Sequence, residues 1–201
     1  MIAIIDYDAG NIKSVEKAFE YLGVETITTR EPQIIMSADK VVLPGVGAFG
    51  DAMNKLNEYG LVDVIHTVVN NGTPLLGICL GLQLLFESSE ESEGVEGLGI
   101  LKGHVLRFSD NTEYKIPQIG WNSLEISPNS KLFEGIANQS YVYFVHSFYL
   151  KAADDNIVAA SCDYANHFHA AVECNNVYAC QFHPEKSSET GLKILQNFAN
   201  I

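Results

Sequence analysis

The sequence predicts an α/β fold: a mostly parallel central sheet with helices on both faces, extended by antiparallel strands in the C-terminal half. Three observations carry this. The first half of the chain alternates short apolar strands with segments of helical periodicity, the rhythm of a parallel sheet covered on both faces. The second half is a series of short β-rich segments separated by Gly, Asn and Asp, which makes several of them antiparallel. Composition is ordinary for a globular chain, with 47% hydrophobic residues over 201 positions, and this excludes disorder for most of the length.

Taken in order, Ile2–Ile5 is an apolar strand. In Ile12–Leu22 the apolar residues Val15, Ala18, Phe19 and Leu22 recur at helical spacing, and Gly23 stops the helix. Val24–Thr29 is β-rich, Lys40–Leu43 is a strand, and Asp51–Asn70 is helical with a break at Gly60. Pro74–Ile78 is a strand and Leu80–Glu87 a helix. Further strands are expected at Gly103–Phe108, Lys115–Ile119, Ser140–Val145, Ile157–Ser161, His169–Glu173 and Val177–Phe182, with a final helix over Ser187–Asn200. The stretch Glu87–Gly97 carries Glu87, Glu90, Glu91, Glu93 and Glu96 among serines and glycines, and reads as a solvated loop because like charges repel. With no linker and no repeat, residues 1–201 read as one domain.

The charge balance excludes whole classes of function. Lys and Arg total 12 against 25 Asp and Glu, giving a net charge of −13. Nucleic acid and anionic membranes require a basic face, so neither is an expected partner. The longest apolar stretch, Gly72–Phe86, is interrupted by Pro74, Gly77, Gly81 and Gln83 and is too short to span a bilayer. The N-terminus lacks a basic n-region and carries Asp6 and Asp8, so no signal peptide is expected. The four cysteines, Cys79, Cys162, Cys174 and Cys180, contain no C-x-x-C pair, which fits free thiols in the cytoplasm.

Three motifs carry chemistry. In Gly77-Ile78-Cys79-Leu80-Gly81 an apolar strand runs straight into a helix, with a cysteine at the joint and glycines two positions to either side. This is the nucleophile-elbow pattern with Cys in place of Ser. The glycines let backbone approach backbone at a strained turn, and the helix N-terminus favours a thiolate. A buried core cysteine between two packing glycines is the rival reading of the same pattern. In Cys180-Gln181-Phe182-His183-Pro184-Glu185, His183 and Glu185 lie two apart in an extended segment, so both side chains fall on one side. A carboxylate there can orient one ring nitrogen and leave the other for a thiol. Finally, Pro44-Gly45-Val46-Gly47 joins a strand to a helix, and its glycines can expose backbone amides in more than one arrangement. It lacks the lysine and hydroxyl of a phosphate loop. His66, His104, His146, His167 and His169 show no ligand spacing with Cys79, so neither a metal nor a cofactor is expected.

With these residues the chain resembles the class I (triad) glutamine amidotransferases and is expected to share their fold. The wider set Asp6-Tyr7-x-x-Gly10-Asn11, Pro44-Gly45-Val46-Gly47, Gly120-Trp121-Asn122, Tyr143-Phe144-Val145-His146-Ser147 and His183-Pro184-Glu185-Lys186-Ser187-Ser188 resembles the glutaminase subunits of imidazole glycerol phosphate synthase. The resemblance runs in the same order from about Ile4 to the C-terminus. It implies that Cys79 attacks the glutamine carboxamide, that His183 moves the proton and that Glu185 orients His183. It implies an oxyanion site at the amides of Val46 and Leu80, and glutamine contacts at Gly47, Gln83, Ser147 and Phe148. It places Asn11, Trp121, Asn122, Tyr143 and Lys186 near the face that docks a cyclase subunit, a (β/α)8 barrel, in a heterodimer. Ammonia would pass to that barrel and react with a phosphoribulosyl-formimino aminoimidazole carboxamide ribonucleotide, a step of histidine biosynthesis. The alternative is a paralogous glutaminase feeding a different synthase, such as one that amidates a sugar. Two positions depart from the pattern: Asp8 where Gly is usual, and Gln118 where His is usual. Both are expected near the partner face rather than the triad.

Overall fold

The computed structural model describes residues 1–8, 10–109 and 113–201. Strands β1 (Ile2–Ile5), β2 (Thr26–Thr29), β3 (Lys40–Gly45) and β4 (Leu75–Cys79) alternate with helices α1 (Ile12–Tyr21), α2 (Pro32–Ser37), α3 (Phe49–Glu58) and α4 (Leu61–Asn70), and α5 (Leu80–Leu84) follows β4 directly. The second half contributes β5 (Ser88–Ser89), β6 (Gly103–Arg107), β7 (Gln118–Ser123), β8 (Glu125–Ile126), β9 (Tyr141–His146), β10 (Phe148–Ala152), β11 (Val158–Asp163), β12 (His167–Cys174), β13 (Val177–Cys180) and α6 (Ser188–Asn200). The main sheet runs β2-β1-β3-β4-β13-β12-β10-β6-β5, with β11 and then β8 joined at β12. From β2 to β13 every pairing is parallel. From β13 through β12 and β10 to β6 every pairing is antiparallel. The last strand in the chain is therefore the seam between the two regimes. β7 and β9 form a separate antiparallel ribbon.

Alternation along the strands sorts side chains into two cores. Ala3, Ile5, Val41, Leu43, Val177 and Ala179 face one layer with α3, α4 and α5, while Ile2, Ile4, Val42, Tyr178 and Cys180 face the other with α1, α6 and β9. This is the two-sided burial that makes parallel strands continuously apolar. The stripe expected on α1 is the buried one: Val15, Ala18 and Phe19 pack inward. Gly60 takes a left-handed φ of 65° between α3 and α4, a conformation that costs glycine nothing.

Several local expectations are corrected. The strand expected at Lys115–Ile119 begins only at Gln118 and continues to Ser123, because Pro117 has no N–H to offer a ladder. The helix expected to Glu87 stops at Leu84; the returning chain takes its next carbonyls, with Leu98 N bonded to Leu84 O at 2.8 Å and Leu101 N to Leu85 O at 3.0 Å. The acidic stretch Glu87–Gly97 is more than a solvated loop. Glu91 Oε2 accepts from Phe49 N at 2.8 Å and Ser92 Oγ from Gly50 N at 3.0 Å, closing the first turn of α3. Glu87 and Glu90 accept from the amides of Gly103 and Arg107. No helix among the described residues is long and apolar enough to cross a membrane.

Candidate active site

The site lies where β4 and β13 end side by side. Cys180 pairs with Ile78 across these parallel strands, so the segments that follow, one carrying Cys79 and the other His183, open into the same cleft. Cys79 has φ 55° and ψ −110°, a strained backbone for a residue with a side chain. The flanking glycines make this turn possible. A Cβ on Gly81 would lie 1.9 Å from Leu43 O, and one on Gly77 would lie 2.9 Å from the Gly81 carbonyl. Backbone thus touches backbone on both sides of the elbow.

His183 is buried, and its Nδ1 donates to Glu185 Oε1 at 2.8 Å while the ring also hydrogen-bonds Cys79. The Glu185 side chain is only 1% exposed. Pro184–Lys186 is a turn of 3-10 helix, not the extended segment expected from the sequence, and it still brings the Glu185 carboxylate back to His183. Burial works to discharge the imidazole. The hydrogen bonds to Cys79 and Glu185, with the charges behind them, more than offset it and raise His183 to about 10. His183 is thus held as an imidazolium, the poise of a proton donor.

The cleft has a volume of about 340 Å³, within the usual range for ligand pockets. Val46, Gly47, Leu80, Gln83, Ser147, Phe148 and Lys186, all singled out from the sequence, line it together with Cys79 and His183. Gly47 has φ 102°, and Tyr7 Oη, wholly buried, donates to Pro44 O at 2.8 Å, fixing the start of this strand. Asn11, Trp121, Asn122 and Tyr143 are not cleft residues. Asn11 accepts from Ser14 Oγ. Trp121, half exposed, meets the Tyr143 ring edge-on at 5.9 Å on the β7–β9 ribbon, and Asn122 Nδ2 donates to Asp163 O. The ribbon reaches the site through backbone: His183 N donates to Tyr143 O at 2.9 Å.

Sequence reasoning missed three polar groups here, Glu91, His146 and Gln181, and misplaced a fourth, Gln118. Glu91, read as part of a solvated loop, lines the cleft. His146 lines it too; burial pushes its ring down to about 4, so it is neutral, with Nδ1 donating to Phe148 O at 2.7 Å. Gln118, expected at the partner face, is instead buried, its carboxamide 2.8 Å from His146 Nε2. The third is Gln181, with no solvent exposure, between Cys79 and Gln83. Only its place one residue past an alternating strand could have pointed to it. Asp8 is exposed, with φ 62°, and is paired with Arg30 at 2.6 Å. All four cysteines are free; burial pushes Cys162 up to about 12 and Cys180 well above the usual thiol range, which leaves both inert. Among the described residues no group of three or more His, Cys, Asp or Glu could hold a metal ion.

The family model for glutamine amidotransferase class-I matches residues 3–201. The imidazole glycerol phosphate synthase subunit HisH of Chlorobaculum tepidum is 49% identical, with all of both chains covered. Its counterpart from Geobacter metallireducens is 48% identical over 98% of this chain and 97% of its own, and that from Methanocaldococcus jannaschii is 48% identical over the whole of both. Among solved structures, a glutamine amidotransferase crystal structure superposes with a TM-score of 0.77 at 20% identity, covering 100% of both chains. The PurLQS structure from Thermotoga maritima gives 0.75 at 21% identity, covering 99% of this chain and 97% of that one. An elbow cysteine facing a His–Glu pair, on a chain matched from end to end in this way, belongs to the class-I glutamine amidotransferase family, in its HisH branch.

Proposed function

We propose that the chain is the glutaminase subunit of an imidazole glycerol phosphate synthase, releasing ammonia from L-glutamine for a cyclase partner in histidine biosynthesis. The observation that carries this is the Cys79–His183–Glu185 line opening on a cleft that also holds Gln83 and Glu91. Cys79 Sγ attacks the carboxamide carbon. The amide of Leu80, at the first position of α5, and that of Val46 stabilise the oxyanion. The His183 imidazolium protonates the departing nitrogen, ammonia leaves, and a thioester remains on Cys79. His183, now neutral, takes a proton from water as it attacks the thioester, and glutamate is released. Glu185 keeps the His183 ring in the required tautomer throughout. Gly47, Gln83, Ser147 and Phe148 hold the substrate, and the Glu91 carboxylate offers a counter-charge for its α-ammonium group.

The partner is a (β/α)8-barrel cyclase, docked on the ribbon where Ile119, Trp121 and Tyr141 are exposed, with Asn11, Asn122, Tyr143 and Lys186 at the edge of the contact. Aromatic side chains of this kind are the usual anchors of an interface. The test is Cys79→Ala in the reconstituted complex. Turnover with glutamine is lost while synthesis from added ammonium salt and complex formation persist. Persistent glutamine turnover refutes the assignment.

A further inference from the structure

We infer that Gln181 is a positioning residue that ties the nucleophile to the residue that holds the substrate. β13 alternates between the two cores, with Val177 and Ala179 on the side of α5. Gln181 continues that face one residue beyond the strand, where its own amide is fixed by a 2.8 Å bond to Ala170 O. Since Cys180 is level with Ile78, Gln181 is level with Cys79. Its side chain is fully buried, and a buried carboxamide must find partners.

It finds two. Gln181 Oε1 accepts from Gln83 Nε2 at 3.0 Å, and Gln181 Nε2 donates to Cys79 Sγ at 3.9 Å, a long contact of the kind sulfur makes. Gln83 Nε2 also reaches Phe148 O at 3.4 Å. With its NH₂ engaged on the protein side, Gln83, which lines the cleft, has its Oε1 left as the end to meet a substrate. One buried carboxamide therefore fixes which end of Gln83 faces the substrate and supplies a donor to the sulfur that attacks it. Among the described residues no second side chain is bonded to both Gln83 and Cys79.

The inference rests on Cys79 being the nucleophile and Gln83 a glutamine contact, and the experiment separates the two levels. In the complex with the cyclase, kcat and KM for glutamine are measured for Gln181→Leu, Gln83→Leu and the double variant. Removing one partner of a buried hydrogen bond typically leaves an effect of about ten-fold or more. Gln181→Leu is expected to raise KM about ten-fold, through a released Gln83, and to lower kcat about ten-fold, through the lost donor to Cys79. Gln83→Leu is expected to act mainly on KM. In the double variant KM rises no further than in Gln83→Leu, while the kcat loss of Gln181→Leu remains. KM effects that multiply, or a Gln181→Leu enzyme within two-fold of the parent in both constants, overturn the inference. If Gln181→Leu no longer binds the cyclase, Gln181→Met, which keeps the unbranched shape without the amide, decides by the same criteria; its failure to bind makes Gln181 structural and overturns the inference as well. Failure of the underlying glutaminase reading shows separately, as glutamine turnover surviving Cys79→Ala.

Discussion

Replacing Gly81 by alanine adds a single methyl group at the tightest backbone contact of the elbow. That methyl would sit 1.9 Å from Leu43 O and 2.9 Å from Leu43 C. An ordinary carbon–oxygen contact is about 3.3 Å, so α5 and β3 must part by more than about 1 Å. Neither side can yield by a rotamer change, because both are backbone. Overpacking of this kind costs about 3 kcal/mol, the upper part of the usual range. For a chain of this size that corresponds to a melting temperature lower by about 6–12 °C. The displacement also carries Cys79 and the Leu80 amide away from His183, and misplacement by about 1 Å costs on the order of 10² in rate. Differential scanning calorimetry and steady-state glutamine turnover in the cyclase complex read the two effects. A Gly81→Ala enzyme with unchanged melting and a kcat/KM within about three-fold of the parent would falsify the account of the elbow, since loss of 10² is expected.

Other outcomes follow from separate parts of the molecule. His146 is neutral in the fold, with its pKa lowered to about 4 from 6.5; its contribution to stability is complete above pH 6.5 and is lost as pH falls towards 4. Urea unfolding across that window should show a steeper decline for the parent than for His146→Gln, and equal slopes refute the assignment. Asp8 holds a left-handed φ and an exposed ion pair with Arg30. Asp8→Gly relieves the first and loses the second together with the Tyr59 hydrogen bond, so the urea midpoint should shift little, and a large loss refutes the offset. On the proposed oxyanion site, a Pro44–Gly47 arrangement that turns the Val46 amide away would remove one donor, at a cost of about 10²–10³ in rate. Glutamine turnover by the isolated chain should therefore rise at least about 10²-fold on adding cyclase and its nucleotide ligand; full activity without the partner removes the gating idea.

The parts of the site legible in the sequence are those whose chemistry is local. The elbow shows because Gly77 and Gly81 must flank Cys79 for backbone to pack on backbone, and the His183–Glu185 pair shows because the two residues are near neighbours. The stripe of α1 shows because a helix repeats its buried face every turn. What stayed hidden depends on distant partners. Glu91 is one glutamate among five until the loop returns it to Phe49 N. Gln118 is placed by its contact with His146, 28 residues away, and Gln181 by contacts across about a hundred. α2 is only six residues long, too short to display a period. β10 is hard to see in the sequence because only Ser147 separates it from β9 and Lys151 interrupts its apolar run.

The position of β13 has a consequence for how the working molecule comes into being. It is the last strand to be synthesised, yet it lies in the middle of the sheet, between β4 and β12. A nascent chain that has completed β4 has its cysteine but an open flank beside it, and the antiparallel strands made next have nothing to join to that half until β13 arrives. Both halves of the sheet, and both halves of the site, are united by the same four-residue insertion. Such late, long-range closure is slow compared with local hairpin formation. It also means that an incomplete chain has Cys79 but not the His183–Glu185 pair that faces it, which arrives only when the sheet closes.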